Sequence, residues 1–258
     1  MNDSTHWSAP IRVTRFLFNT IFHQALAVIA IYTIWVPISN YTADLSALSW
    51  HVILCTLALI PLGAEALILF ASDNVWSQGI EKNTKKIMHG ILMGISAVLM
   101  IIGIALEINR AAGVTNYPHF QSAHAITGLI AMIFIIFGSL VGLCAKFAQS
   151  LKGFLRPVIT KFIHNVLGNL SFIFGIVSLC CGYYTNWFAY YTSEASRLAA
   201  TIVTVVICVW SLIHAFVSGV KQVQAIMNVP VYRGVPIDVQ GVNRPLSIIR
   251  LSRHTVHD

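Results

Sequence analysis

The chain has 258 residues, 57% of them hydrophobic and only 10% charged, with a net charge of +7. A soluble domain carries about 25% charged residues, so this chain cannot clothe itself in a hydrated surface, and lipid is the expected solvent for most of it. The positive balance reads as membrane topology, and the lack of interleaved basic and aromatic surface segments excludes a nucleic-acid partner.

Residues 1–16 form a polar N-terminal segment. Six apolar runs follow, at about 17–37, 50–71, 86–107, 123–144, 162–184 and 197–219. Each has about the 20 residues a helix needs to cross ~30 Å of hydrocarbon. Runs this long are helices rather than barrel strands, because lipid leaves the backbone no partner but itself. The first run is too long for a signal-peptide core and is expected to be an uncleaved anchor. Asp44 and Ser46 are candidate N-caps for the second helix and Thr84 for the third. Pro118 and Pro157 suit the first turns of the fourth and fifth helices, where a missing N–H does no harm. The linkers are short, so 17–219 is expected to fold as one bundle. The tail, 220–258, contains Pro230, Pro236 and Pro245 and is expected to be irregular. Cys55, Cys144, Cys180, Cys181 and Cys208 all lie in apolar runs and read as small packing residues.

Orientation follows from the basic residues. Arg12 and Arg15 precede the first run. Lys82, Lys85 and Lys86 lie in the second linker, Lys146, Lys152, Arg156 and Lys161 in the fourth, and Lys221, Arg233, Arg244, Arg250 and Arg253 at the end. In a six-span arrangement all of these share one side, and only Arg110 and Arg197 lie on the other. The positive-inside rule then puts both termini in the cytosol. The sequon Asn40-Tyr41-Thr42 falls in the first non-cytosolic loop, in agreement.

Ten histidines are present, and an imidazole at lipid depth is a functional hypothesis by default. His51, His89, His124 and His164 each sit within the first two turns of helices 2, 3, 4 and 5. Alternate helices run the same way, so His51 and His124 share a depth near the non-cytosolic face, and His89 and His164 near the cytosolic one. Two imidazoles at matched depth on parallel helices can grip a flat ligand between them, and a haem iron with two axial histidines fits. Gly128 and Gly168, one turn beyond His124 and His164, and Gly90 and Gly94 near His89, offer room for a macrocycle edge. Small-residue helix packing is the plainer account of those glycines. A zinc site would need three or four converging ligands. His23 and His214 have no partner at matched depth and are assigned structural or proton-related roles. Glu65, deeper in helix 2, is expected to pair with a polar neighbour or to be protonated.

The stretches Ser49-Trp50-His51, Glu65-Ala66-Leu67, Lys85-Lys86-x-x-His89, His119-x-x-x-x-His124-x-x-x-Gly128-Leu129 and Lys161-x-x-His164-x-x-x-Gly168 resemble the cytochrome b561 family of transmembrane electron-transfer proteins. The resemblance covers helices 2 to 5, about 50–184. It implies two haem b groups, one ligated by His51 and His124 and one, on the cytosolic side, by His89 and His164. It implies electrons drawn from cytosolic ascorbate and passed across the bilayer to monodehydroascorbate or ferric iron, and it suggests an endomembrane, endoplasmic reticulum or vesicle, over the plasma membrane. A homodimer is compatible with it. The chain departs from the family pattern where helix 2 ends in Ile68-Leu69-Phe70, since many ascorbate-dependent members carry an arginine there.

In this reading Lys82, Lys85, Lys86, Arg156 and Lys161 surround the cytosolic haem and concentrate an anionic donor; topology alone accounts for them equally well. His119, with Asn116, Tyr117 and Trp50, is the candidate acceptor contact on the other face; loop polarity accounts for these residues equally well. Two rival readings stand beside it. One is a haem-free six-helix transporter or channel whose histidines line a proton or metal path. The other is a haem-bearing subunit that passes electrons to another membrane enzyme.

Overall fold

The computed structural model describes residues 9–40, 45–114, 120–147, 150 and 156–227. Asp44, the Tyr41-Thr42 part of the sequon, Asn116, Tyr117, Pro118, His119, Lys152 and the tail beyond Met227 lie outside the described residues. Among those described there is no strand. Six helices are long and apolar enough to cross a membrane. They are α1 (Ala9–Ser39), α2 (Ala47–Ile68), α3 (Lys82–Ala112), α4 (Ala123–Phe147), α5 (Pro157–Gly182) and α7 (Glu194–Met227). A short helix, α6 (Asn186–Tyr191), fills the connection before α7. The apolar runs mark hydrocarbon thickness, and several helices continue past them; α7 runs eight residues beyond 219.

Ser46 caps α2, its Oγ accepting the Ser49 N–H at 3.1 Å, which satisfies one of the orphan donors of the first turn. Thr84 is not a cap. The α3 helix starts at Lys82, with the Lys85 N–H bonded back to the Glu81 carbonyl at 2.9 Å, so Thr84 lies within the first turn. Pro157 occupies the first turn of α5, as its missing N–H predicts.

The α2 helix widens into π geometry over Ala58–Ala64, around Pro61. Proline there removes an i→i−4 bond and crowds the preceding carbonyl, and a wide turn absorbs both faults without ending the helix. The Ser96 hydroxyl of α3 donates to the Ala58 carbonyl at 2.8 Å where the wide turns begin. Past Ile68 the chain is closed by buried polar side chains: Asn74 Nδ2 donates to the Ile68 carbonyl at 3.2 Å and Ser77 Oγ to the Leu69 carbonyl at 2.9 Å.

Side chains are sorted as lipid requires. Large apolar groups such as Phe16, Ile31, Trp35, Ile202, Val209 and Phe216 point outward, while Thr33, Thr56, Ser96, Ser171, Thr204 and Ser211 are buried. Apolar burial gains little when the solvent is itself apolar, so close approach and interhelical hydrogen bonds hold the helices together. The Ser171 hydroxyl, for example, donates to the Ala131 carbonyl of α4 at 3.0 Å. Helix α2 packs on α3, α4 on α5, and α7 on α5, with α1 against α2 and α7. Neither α2 with α4 nor α3 with α5 is a closely packed pair. Those are the helix pairs whose histidines face each other.

Candidate functional site

The structure brings His51 and His124 together with ring centres 5.8 Å apart, and His89 and His164 with centres 6.0 Å apart. In both pairs the ring planes stand at 88°. One pair lies where α2 and α4 begin, the other where α3 and α5 begin, at the opposite end of the bundle.

All four imidazoles are oriented in the same way. His51 Nδ1 lies 3.0 Å from the Gly103 carbonyl and His124 Nδ1 2.8 Å from that of Ser178. His89 Nδ1 lies 3.0 Å from the Ala66 carbonyl and His164 Nδ1 2.9 Å from that of Gly138. A carbonyl only accepts, so in each ring Nδ1 carries the proton and a neutral imidazole is left with the Nε2 lone pair free. Fixing the tautomer through the far nitrogen is how proteins prepare a histidine for metal ligation.

Glycines set the rings in place. A Cβ on Gly142 would lie 2.7 Å from His164 Cε1, and one on Gly182 would lie 3.2 Å from His124 Cε1 and Nδ1. Each imidazole is therefore pressed against a bare stretch of the neighbouring helix. Of the two accounts of Gly128, room for a macrocycle edge or helix packing, the structure favours packing: a Cβ there would meet Ser178 Oγ at 3.0 Å. Gly90, Gly94 and Gly168 have nothing within 4 Å of the Cβ position.

Among the described residues no three His, Cys, Asp or Glu side chains converge as a metal site. Each pair offers two nitrogens on facing rings. Two imidazoles trans on one iron, at about 2.0 Å per metal–nitrogen bond and roughly 1.1 Å more to each ring centre, have centres about 6 Å apart. The pair spacings match that requirement, and the residues fit an iron whose remaining ligands come from a planar macrocycle.

A cleft of about 390 Å³ opens beside the His89–His164 pair, lined by Phe70, Ile80, Lys82, Lys85, His214 and Ser218. Lys85 is only 9% exposed, and no carboxylate among the described residues pairs with it. The Phe70 ring lies 5.5 Å from that of His89. Of the basic residues singled out in the sequence, Lys82 and Lys85 line this cleft. Lys86 is exposed, with Nζ donating to Asn83 Oδ1 at 3.3 Å, and Arg156 and Lys161 are exposed outside the lining. His119 lies outside the described residues. His214 stands in the cleft with the two lysines, and His23 pairs with Glu65 at 2.7 Å.

Sequence reasoning missed the four carbonyl acceptors, the cleft position of Phe70, and Gly142 and Gly182. The spacing Gly138-x-x-x-Gly142 is a small-residue signature for close helix approach and carries the only hint of its glycines.

The model of the eukaryotic cytochrome b561 family matches residues 50–189. The chain is 23% identical over 143 residues to transmembrane reductase CYB561D2 of Mus musculus, a match covering 55% of this chain and 64% of that protein. It is 22% identical over 157 residues to the Homo sapiens protein of the same name, covering 61% of this chain and 70% of that one. The Bos taurus protein matches at 23% over 143 residues, again 64% of its length. The chain thus aligns with somewhat less than two thirds of the mouse and bovine relatives.

Proposed function

The chain belongs to the eukaryotic cytochrome b561 family, and from that premise we propose that it is a dihaem transmembrane reductase. It carries electrons from cytosolic ascorbate to monodehydroascorbate or ferric iron on the far side of an endomembrane. One observation carries the reading: two facing imidazole pairs, at 5.8 and 6.0 Å, with every Nδ1 tied to a carbonyl. The relatives' name, transmembrane reductase, supports the same class of activity.

His51 and His124 would hold one haem b and His89 and His164 the other. Haem held by two imidazoles would supply one-electron chemistry at each site. The chain's own residues do the rest. The four carbonyls fix the tautomer and aim each Nε2, and the glycines of α4 and α5 set the depth of His164 and His124. Lys85 is a largely buried residue whose ammonium has no carboxylate partner among the described residues, an arrangement that favours an anion in the cleft. Lys82 adds a second charge, and exposed Lys86, Arg156 and Lys161 raise the local anion concentration. An ascorbate anion in this cleft would touch Phe70, whose ring lies 5.5 Å from that of His89. These lysines take the place of the arginine that many family members carry at the end of helix 2. On the opposite face, His119 is the candidate acceptor contact.

The test is titration of the purified protein with ascorbate while its absorbance is followed. The reading expects a b-type spectrum and growth of the reduced bands. A folded protein with no Soret band would overturn it.

A further inference from the structure

The electron-transfer reading leaves one half-buried polar cluster unused. His23 of α1 and Glu65 of α2 approach to 2.7 Å, Nδ1 to Oε1, with side chains 17% and 22% exposed. The second carboxylate oxygen accepts the Trp76 indole N–H at 2.8 Å. His23 Nε2 lies 3.1 Å from Asn19 Oδ1 and 3.3 Å from Asn74 Oδ1.

Neither amide can be turned round. Asn19 Oδ1 accepts the Val75 backbone N–H at 3.0 Å. Asn74 Nδ2 donates to the Ile68 carbonyl at 3.2 Å while its Oδ1 takes the Trp76 N–H at 3.4 Å. Flipping either would set an NH₂ against a backbone donor. Nε2 therefore faces oxygens only and must carry a proton. A second proton lies between Nδ1 and Glu65, because two acceptors at 2.7 Å would repel. The pair holds one proton more than a neutral imidazole and a free carboxylate, and its net charge is zero.

Its place in the fold gives that neutrality a consequence. Glu65 directly precedes Ala66, whose carbonyl holds His89 Nδ1 at 3.0 Å. We propose that the His23–Glu65 pair is a charge-balancing element for the cofactor held by His89 and His164, setting the redox potential at that end of the bundle and not at the other. The proposal rests on the electron-transfer reading. A carboxylate stripped of its imidazolium favours the ferric state nearby and lowers the potential, and removing both partners returns the local charge to zero. The neighbouring Asp73 is already offset by Arg15 at 3.4 Å, and Lys85 is unchanged in all the variants.

The experiment is a potentiometric titration of purified haem-loaded protein at pH 8, read by absorbance, for wild type, His23→Gln and the double variant His23→Gln/Glu65→Gln. In His23→Gln one haem is expected to titrate at a lower potential while the other keeps its value. The double variant is expected to recover the wild-type potential. No shift, equal shifts of both haems, or a double variant that stays displaced would overturn the proposal, since a merely structural role is not rescued by a second substitution. If His23→Gln fails to accumulate, His23→Lys keeps the positive charge and is compared with the double variant. Equal potentials are expected, and unequal ones overturn it. A wild-type protein without haem sinks the underlying reading, whereas a haem-loaded wild type with unresponsive variants sinks the role of the pair alone.

Discussion

Gly142→Ala is a one-methyl test of how the imidazoles are positioned. The added Cβ would lie 2.7 Å from His164 Cε1 and 2.9 Å from its Nδ1, whereas carbon–carbon contacts settle at about 3.5–4.0 Å. Both close contacts are to the ring, so the imidazole has to retreat or tilt by roughly 0.8 Å. Ligand constellations tolerate only about 0.5 Å of displacement. Retreat also stretches the 2.9 Å bond from Nδ1 to the Gly138 carbonyl. Loss of an orienting partner of this kind costs about 10–100-fold in metal affinity, or about 1.4–2.7 kcal/mol. The substituted protein should therefore lose haem from the His89–His164 end first. Haem-to-protein ratio by pyridine haemochromogen, with titration of added haem, measures this. Gly79→Ala is the control, because nothing lies within 4 Å of its Cβ position. A Gly142→Ala protein that binds both haems with undiminished affinity would refute the argument.

Two further substitutions probe the cleft and the fold. Lys85→Met removes an ammonium from the cleft lining and should raise the ascorbate KM on the order of tenfold or more, the worth of one hydrogen bond to a charged group, with kcat little changed. Lys86→Met, at an exposed position, should change KM far less, and equal effects in steady-state assays would count against the cleft. Ser46→Ala removes the cap on α2 and should lower stability by about 1 kcal/mol, read as a lower unfolding midpoint in detergent; an unchanged midpoint would mean the cap contributes nothing.

The spans are legible in the sequence because lipid imposes them: any segment of about 20 apolar residues has little choice but to be a helix. Which histidines face each other is legible too, since alternate helices run in parallel and equal distances from their starts give equal depths. What holds the rings is not. The carbonyls of Gly103, Ala66, Gly138 and Ser178 belong to backbone that every residue has, and only the packing of α2 on α3 and α4 on α5 selects them. Pro61 announces a disturbance in α2 without saying whether it kinks or widens the helix. His214 joins Lys82 and Lys85 across more than 120 residues of chain, and His23 finds Glu65 at a separation of 42; neither meeting follows from depth alone. The short α6 is hidden in a linker too brief to show periodicity.

Haem content of four single variants tests the central claim most directly. Wild type should carry two haems per chain, and His51→Ala, His124→Ala, His89→Ala and His164→Ala should each lose one. The first two should retain the same residual spectrum, and the last two a different one common to both. A wild type with no haem, or any of these variants retaining both, would contradict the account.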